Sequence, residues 1–344
     1  MSNLDERPAS GAGVEIMTPR DVPLGGPRAM RVRRTLPQRQ RSLIGAWCFV
    51  DHYGPDEVAD TGGMSVAPHP HTGLQTVSWL FTGEIEHRDS AGNHAMVRPG
   101  EVNLMTAGRG ISHSEVSPAS TTTLHGAQLW VALPDGARHT DPGFAHHAPT
   151  PVVGDGWTAR VLLGSLLGDT SPVPTYTPLL GAELLLEAGT TLTLDVDASF
   201  EHGVLVDAGV LGVAGTDAKK DDLAYVPPGR ATLELRAYDE PVRVLLLGGP
   251  PFGESIVMWW NFVGRTHEEI VGFREEWQAQ VTDPAGADVD PARAGGLVEE
   301  PAGRTPVVPD SQLVRDGRFG VVVGDHLPPI PAPPLPNARL RERR

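Results

Sequence analysis

Two short stretches pair metal-ligating side chains at a spacing of two: Pro68-His69-Pro70-His71-Thr72-Gly73, and Met105-Thr106-Ala107-Gly108-Arg109-Gly110-Ile111-Ser112-His113-Ser114-Glu115. On an extended backbone, residues i and i+2 point to the same face. Two antiparallel strands carrying these pairs aim three imidazoles and one carboxylate at a single point inside a barrel. His69, His71, His113 and Glu115 then form the coordination sphere of a divalent first-row metal, with two octahedral positions left over. Zinc prefers a closed tetrahedral set or three ligands plus water. Iron, manganese, copper or nickel suit a three-His, one-Glu set with open positions better. The chain has 13 histidines, and His94, His146, His147 and His326 read as solvated surface residues. A lone His-x-His pair says little; its conjunction with a later His-x-Glu, each beside a Gly-rich turn, singles these four out.

A redox-active metal with open positions serves oxygen chemistry. Dioxygen is a triplet, and its direct reaction with a singlet organic molecule is spin-forbidden. A metal that holds both reactants side by side passes electron density between them and removes the entropy cost of their meeting. Glu115 is expected to serve twice, balancing metal charge and accepting the proton of a substrate hydroxyl. The imidazoles bind neutral, each steered by a hydrogen bond on its far nitrogen. Gln128, Asn103 and His52 are candidates for that outer ring of contacts.

Such pairs need strands to carry them. Strand-like runs are read at Leu43–Val50, closed by turn chemistry over Asp51-His52-Tyr53-Gly54-Pro55, and at 75–81, 102–105 and 127–132. Residues 134–156, rich in Pro, Gly and His, read as a connection. A second set follows at 157–163, 182–187, 191–194, 203–206, 210–213, 223–226, 231–236 and 242–247. Short strands at this density predict an all-β chain of sandwich or barrel type. The predicted organisation is 1–140, a metal-binding barrel; 150–281, a second barrel; and 282–344, a Pro/Gly-rich extension. Between Trp157 and Leu247 the only histidine is His202, so no four-ligand site of this kind is expected in the second barrel, which reads as structural or as a partner surface. One helix is predicted where Thr266-His267-Glu268-Glu269 makes a capping box and Ile270, Phe273 and Trp277 share a face; it is expected to cover a sheet. Leu327–Pro336 reads as polyproline II, lying along the protein's own surface or offering a docking site, and Phe319–Val323 as a further edge strand. Residues 1–13 read as a frayed start.

Composition narrows the function classes. Of the 344 residues, 28 are Lys or Arg and 43 Asp or Glu, a net charge of −15. An acidic chain without a basic patch argues against direct nucleic-acid binding and favours protein partners. The sequence shows no apolar run of about 20 residues and no signal-peptide pattern, so a cytoplasmic protein without membrane contact is expected. The one cysteine, Cys48, excludes an internal disulfide framework and a cysteine zinc site.

The combined motifs resemble the pirin signature of the cupin superfamily. They are His69-Pro-His71, Asp89-Ser90-x-Gly92 and Met105-Thr-Ala-Gly-x-Gly-x-x-His113-x-Glu115. Phe49-Val-Asp-His-x-Gly-Pro55, Gln128-Leu-Trp-Val-x-Leu-Pro134 and Pro251-x-Gly-Glu-x-Ile-Val-Met-Trp-Trp-Asn-Phe262 join them. The resemblance covers roughly residues 14–280. It implies a bicupin, two face-to-face antiparallel β-barrel (jelly-roll) domains with a short C-terminal helix and a Pro-rich tail. It implies that His69, His71, His113 and Glu115 are iron(II) ligands, and that the metal sits in the first barrel only. It further implies flavonol (quercetin) 2,3-dioxygenase activity, a dioxygenase that opens a 3-hydroxyflavone with loss of carbon monoxide. The alternative it implies is a metal- or redox-dependent regulatory protein that binds a metabolic enzyme or transcription factor. Two positions depart from the family pattern, Gln75 for Glu and Thr72 for Arg or Lys, and are expected to alter charge near the pocket mouth. The bias toward Arg, Ala, Gly and Pro, with lysine only at Lys219 and Lys220, suits a GC-rich bacterial genome.

Overall fold

The computed structural model describes residues 13–24, 30–282 and 317–344. Residues 1–12 of the expected frayed start over 1–13, and residues 283–316 of the expected extension over 282–344, lie outside the described residues. Strands dominate, and the one α-helix among the described residues is His267–Thr282. It is no longer or more apolar than a surface helix, and no described helix is long and apolar enough to cross a membrane.

Each half of the chain builds a barrel from a seven-stranded and a four-stranded antiparallel sheet. In the first barrel the large sheet runs Gly143–His147, Val102–Thr106, Leu74–Thr82, Thr123–Ala132, Trp47–Glu57, Arg31–Leu36, Arg20–Pro23. Its small sheet runs Ser65–His71, Ile111–Val116, Ile85–Asp89, His94–Val97. The second barrel repeats the plan around Leu180–Leu186, Glu201–Ala208 and Val242–Gly249, with a small sheet built on Thr191–Asp195 and Thr232–Ala237.

The large sheets face each other. Thr123–Ala132 is buried at every residue after its first, and Leu74–Thr82 at its first seven. A strand apolar on both faces has to be covered on both; here one face fills its own barrel and the other meets the second barrel. The outer strands Thr191–Asp195 and Thr232–Ala237 alternate instead, buried at every second residue, because one of their faces is wet. Trp47, Val77, Trp79 and Leu129 of the first barrel pack with Leu162, Leu205, Leu245 and Leu247 of the second in one core. The Trp47 indole N–H donates to the carbonyls of Leu180 (3.2 Å) and Gly248 (3.3 Å), so even its polar atom is satisfied across the joint. Among the described residues, the hydrophobic core of the second barrel is built of Ala, Val and Leu.

Tertiary contacts override several local expectations. Asp51–Pro55 is not a turn but part of the strand Trp47–Glu57. Its polar side chains have partners that make extended backbone affordable: Asp51 takes both arms of Arg34 (2.6 and 2.7 Å), and His52 reaches Asp207 of the second barrel (2.7 Å). The connection over 134–156 contains Gly143–His147 and Val152–Gly154, an edge strand for each large sheet. Glu15–Met17 pairs with Leu223–Val226, so the first segment of the expected 1–140 unit adds a strand to the second barrel.

Phe319–Val323 forms no strand. Gly317, Gly320 and Gly324 at φ +75°, +61° and +79° turn the chain here, and Phe319 is buried against Phe262 and Trp277. The Pro-rich run lies on the protein's own surface. Ile330 N–H donates to the Pro68 carbonyl (2.8 Å), and the carbonyls of Ile330 and Pro333 accept from Trp277 (2.9 Å) and Arg274 (2.7 Å). The helix starts as its capping box predicts, with Glu269 N–H donating to Thr266 Oγ1 (3.1 Å), and Ile270, Phe273 and Trp277 are its buried face. That face meets the tail and the hairpin Val257–Trp259/Phe262–Gly264.

Candidate metal centre

The strands Ser65–His71 and Ile111–Val116 pair antiparallel with His113 directly opposite His69 and Ile111 opposite His71. The register then shifts, and Glu115 faces Val66. One extra residue is thus accommodated in Ser65–His71, a bulge that re-aims the chain just beyond His69. Gly73, at φ +67°, turns the chain from this strand into Leu74–Thr82, and a side chain there would meet the Val263 carbonyl.

His69, His71 and His113 each offer a ring nitrogen, and these atoms all lie within 4.8 Å of one another. His71 Nε2 and His113 Nε2 are 3.0 Å apart. The far nitrogens are tied down, which fixes which nitrogen faces inward. His69 Nδ1 donates to the Ala67 carbonyl (2.9 Å) and His71 Nδ1 to the Asn261 carbonyl (3.0 Å). His113 Nδ1 faces His87 Nδ1 (3.4 Å), and His87 Nε2 donates to Asp89 Oδ2 (3.3 Å). Asp89 is in turn held by the N–H groups of Ala91 (2.9 Å) and Asn93 (3.0 Å), which explains the Asp89-Ser90-x-Gly92 turn.

Burial sets the charge state. It pushes the His69 imidazolium down to about 4, and those of His71 and His113 well below the ordinary histidine value, with neighbouring imidazoles adding to the effect. All three are therefore neutral near pH 7, with lone pairs facing one another across a small gap. Burial raises the Glu115 carboxyl, against hydrogen bonds from Ser78 (3.3 Å) and Gln128 that favour its charged form. Glu115 groups with His113 and His87 within 4.8 Å rather than with His69 and His71. Three buried, neutral imidazoles converging with no proton to share fit a divalent metal, and the buried Glu115 carboxylate, grouped with His113, is of the donor type that fits a fourth ligand.

Of the outer contacts expected from sequence, Gln128 touches Glu115, while two lie elsewhere. Asn103 bonds the Met96 carbonyl (3.3 Å) and His146 (2.6 Å), and His52 faces the second barrel. His94 is not a free surface residue, since its Nε2 pairs with Glu86. Thr72 and Gln75 are not at a mouth but buried, Thr72 bonding the Val263 carbonyl (3.3 Å) and Gln75 donating to Thr106 (2.9 Å). Ser78, Asn261 and His87 were missed. His87-x-Asp89 repeats the spacing of the two ligand pairs and was the available signal for the last.

Known proteins resemble this chain in sequence and fold. The family model for pirin matches residues 29–131, and that for the pirin C-terminal cupin domain matches residues 181–282. A Pseudomonas aeruginosa protein named provisionally as a quercetin 2,3-dioxygenase is 48% identical over 76% of this chain and 82% of its own length. A pirin-like protein of Caulobacter vibrioides is 37% identical over 72% of this chain and 88% of its own. The crystal structure of a quercetin 2,3-dioxygenase from Acinetobacter baumannii superposes with a TM-score of 0.80 at 36% identity, covering 96% of this chain and 98% of that one. With two barrels packed face to face and both family models satisfied, this chain belongs to the pirin family.

Proposed function

We propose that His69, His71, His113 and Glu115 hold one divalent first-row metal, iron(II) foremost, and that this centre opens flavonols of the quercetin class with dioxygen, releasing carbon monoxide. The observation that carries the reading is the convergence of three buried neutral imidazoles whose far nitrogens are all engaged. The named activity of the A. baumannii and P. aeruginosa relatives supplies the substrate class.

The metal, when bound, supplies the redox-active centre that lifts the spin barrier between dioxygen and an organic substrate. The chain does the rest. The carbonyls of Ala67 and Asn261 and the His87–Asp89 pair keep the three rings aimed. Glu115, raised by burial and within reach of Ser78, is suited to take the proton of the flavonol 3-hydroxyl and hand it on. Trp130, edge-on to His71 at 5.1 Å and stacked on Phe49 at 4.0 Å, walls the site with apolar surface that keeps water from the charge that develops.

The test is anaerobic reconstitution with iron(II), followed by oxygen uptake and carbon monoxide release with quercetin. Turnover that requires metal and is abolished in His69→Ala/His71→Ala is the expected result. Stoichiometric metal with no oxygen uptake would overturn the oxygenase reading and leave the same ligands to the regulatory one.

A further inference from the structure

A second group of ligating side chains lies at the joint between the barrels. His52 and His125 come from neighbouring strands of the first barrel and Asp207 from the second, and all three are buried (0%, 7% and 1% exposed). Their ligand atoms lie within 4.8 Å of one another. We propose that His52, His125 and Asp207 bind a structural divalent ion of the zinc class that staples the two barrels together.

His52 Nδ1 lies 2.9 Å from Asp221 Oδ1, so a second carboxylate backs the ring. His52 Nε2 lies 2.7 Å from Asp207 Oδ1. His125 Nε2 points at the same oxygen at 2.5 Å. Both Nε2 atoms thus converge on one carboxylate oxygen, each able to donate its proton to it, and a divalent ion bound there would take the place of both protons.

The surroundings suit the metal. Asp221 on the far nitrogen of His52 makes the carboxylate–histidine–metal arrangement that orients a ligating ring. Arg33 holds Asp221 (2.9 Å), and Arg243 NH1 lies 3.3 Å from Asp207 Oδ2, leaving Oδ1 free to ligate. Arg243 also faces Glu183 at 3.6 Å, so the two guanidinium charges are already matched by carboxylates. Two imidazoles and one carboxylate oxygen are donors zinc accepts together, with a fourth position left for water. Around zinc these atoms stand roughly 3.3 Å apart, so Oδ1 has to draw back by roughly 0.7 Å.

The experiment removes the other centre first. Full-length His69→Ala/His71→Ala/His113→Ala protein is stripped with chelator, dialysed against zinc and analysed for metal. One zinc per chain is expected, together with a rise in melting temperature on adding zinc. Both are expected to vanish when Asp207→Asn is added. As a second arm, wild-type protein should hold one more zinc per chain than His125→Gln, with unchanged circular dichroism. Cobalt(II) in the triple variant should give the intense visible bands of a low-symmetry, four-coordinate site. A triple variant without zinc, or a folded His125→Gln protein with the wild-type metal content, would overturn the proposal and leave protons alone at the joint.

Discussion

His87 and His113 meet nitrogen to nitrogen, Nδ1 to Nδ1 at 3.4 Å, and Asp89 closes the line from behind at 3.3 Å from His87 Nε2. With Asp89 accepting from Nε2, the His87 Nδ1 is a lone pair, so it accepts from His113 Nδ1 and leaves His113 Nε2 bare toward His69 and His71. One carboxylate thus sets a tautomer two rings away. Replacing His87 by Phe keeps the bulk that packs on Phe144 but removes the acceptor. Metal affinity is expected to fall about 10–100-fold with the barrel intact. Competition against a chelator of known affinity measures this, and unchanged affinity would mean that packing alone holds His113.

Acid should destabilise the metal-free protein. His69 has its folded value near 4, below the ordinary 6.5, and His71 and His113 shift the same way. The unfolded chain then binds more protons than the folded one between those values, so stability falls as pH drops from about 6.5 toward 4. For His69 alone the full effect is roughly 3 kcal/mol. Glu115, raised by burial, works in the opposite sense, its protonated form being the better tolerated one inside. Three histidines outweigh one carboxyl, so melting of chelator-treated protein should occur at lower temperature at pH 5 than at pH 7.5. Metal-loaded protein should lose its ion over the same interval, because protons compete for the ligating nitrogens.

The convergence of His69, His71 and His113 was legible because period-two spacing on strands is a local property, whereas the bulge that leaves Glu115 grouped with His87 and His113 depends on the pairing of two strands and was not. The strands themselves were legible wherever apolar alternation or continuous apolar runs are intrinsic to a segment, as in Trp157–Leu163 and Val210–Val213. What escaped depends on distant partners. Asp51-His52-Tyr53-Gly54-Pro55 looks like a turn until Arg34 and Asp207 are placed against it. Asn261 offers only a backbone carbonyl to His71, and a backbone atom leaves no trace in residue type. Phe319–Val323 has the composition of a strand, yet a buried face under Trp277 and three left-handed glycines decide otherwise.

The joint between barrels should be sensitive to a single methyl group. Gly45 sits at φ +53°, its N–H donating to Glu201 Oε2 (2.7 Å), and a Cβ there would come 2.7 Å from Gly249 Cα. Gly45→Ala meets both an unfavourable left-handed backbone, costing about 1–2 kcal/mol, and a backbone clash that no side-chain motion relieves. A loss of at least about 2 kcal/mol in denaturant unfolding is expected, with metal content unchanged because the ligands lie on the opposite sheet. A loss within experimental error would show that the barrels slide apart freely at this point.

The tail should act on the metal strand through one hydrogen bond. Ile330 N–H donates to the carbonyl of Pro68, the residue before His69, at 2.8 Å along the open edge of Ser65–His71. Ile330→Pro removes the donor, and Ile330→Ala removes only the side chain, so their difference isolates the bond at about 0.5–1.5 kcal/mol. Because Pro68 and His69 share a peptide unit, the loosened edge should show as faster release of metal to chelator in Ile330→Pro than in Ile330→Ala. Equal release rates in the two variants would mean that the tail covers the barrel without steadying its ligands.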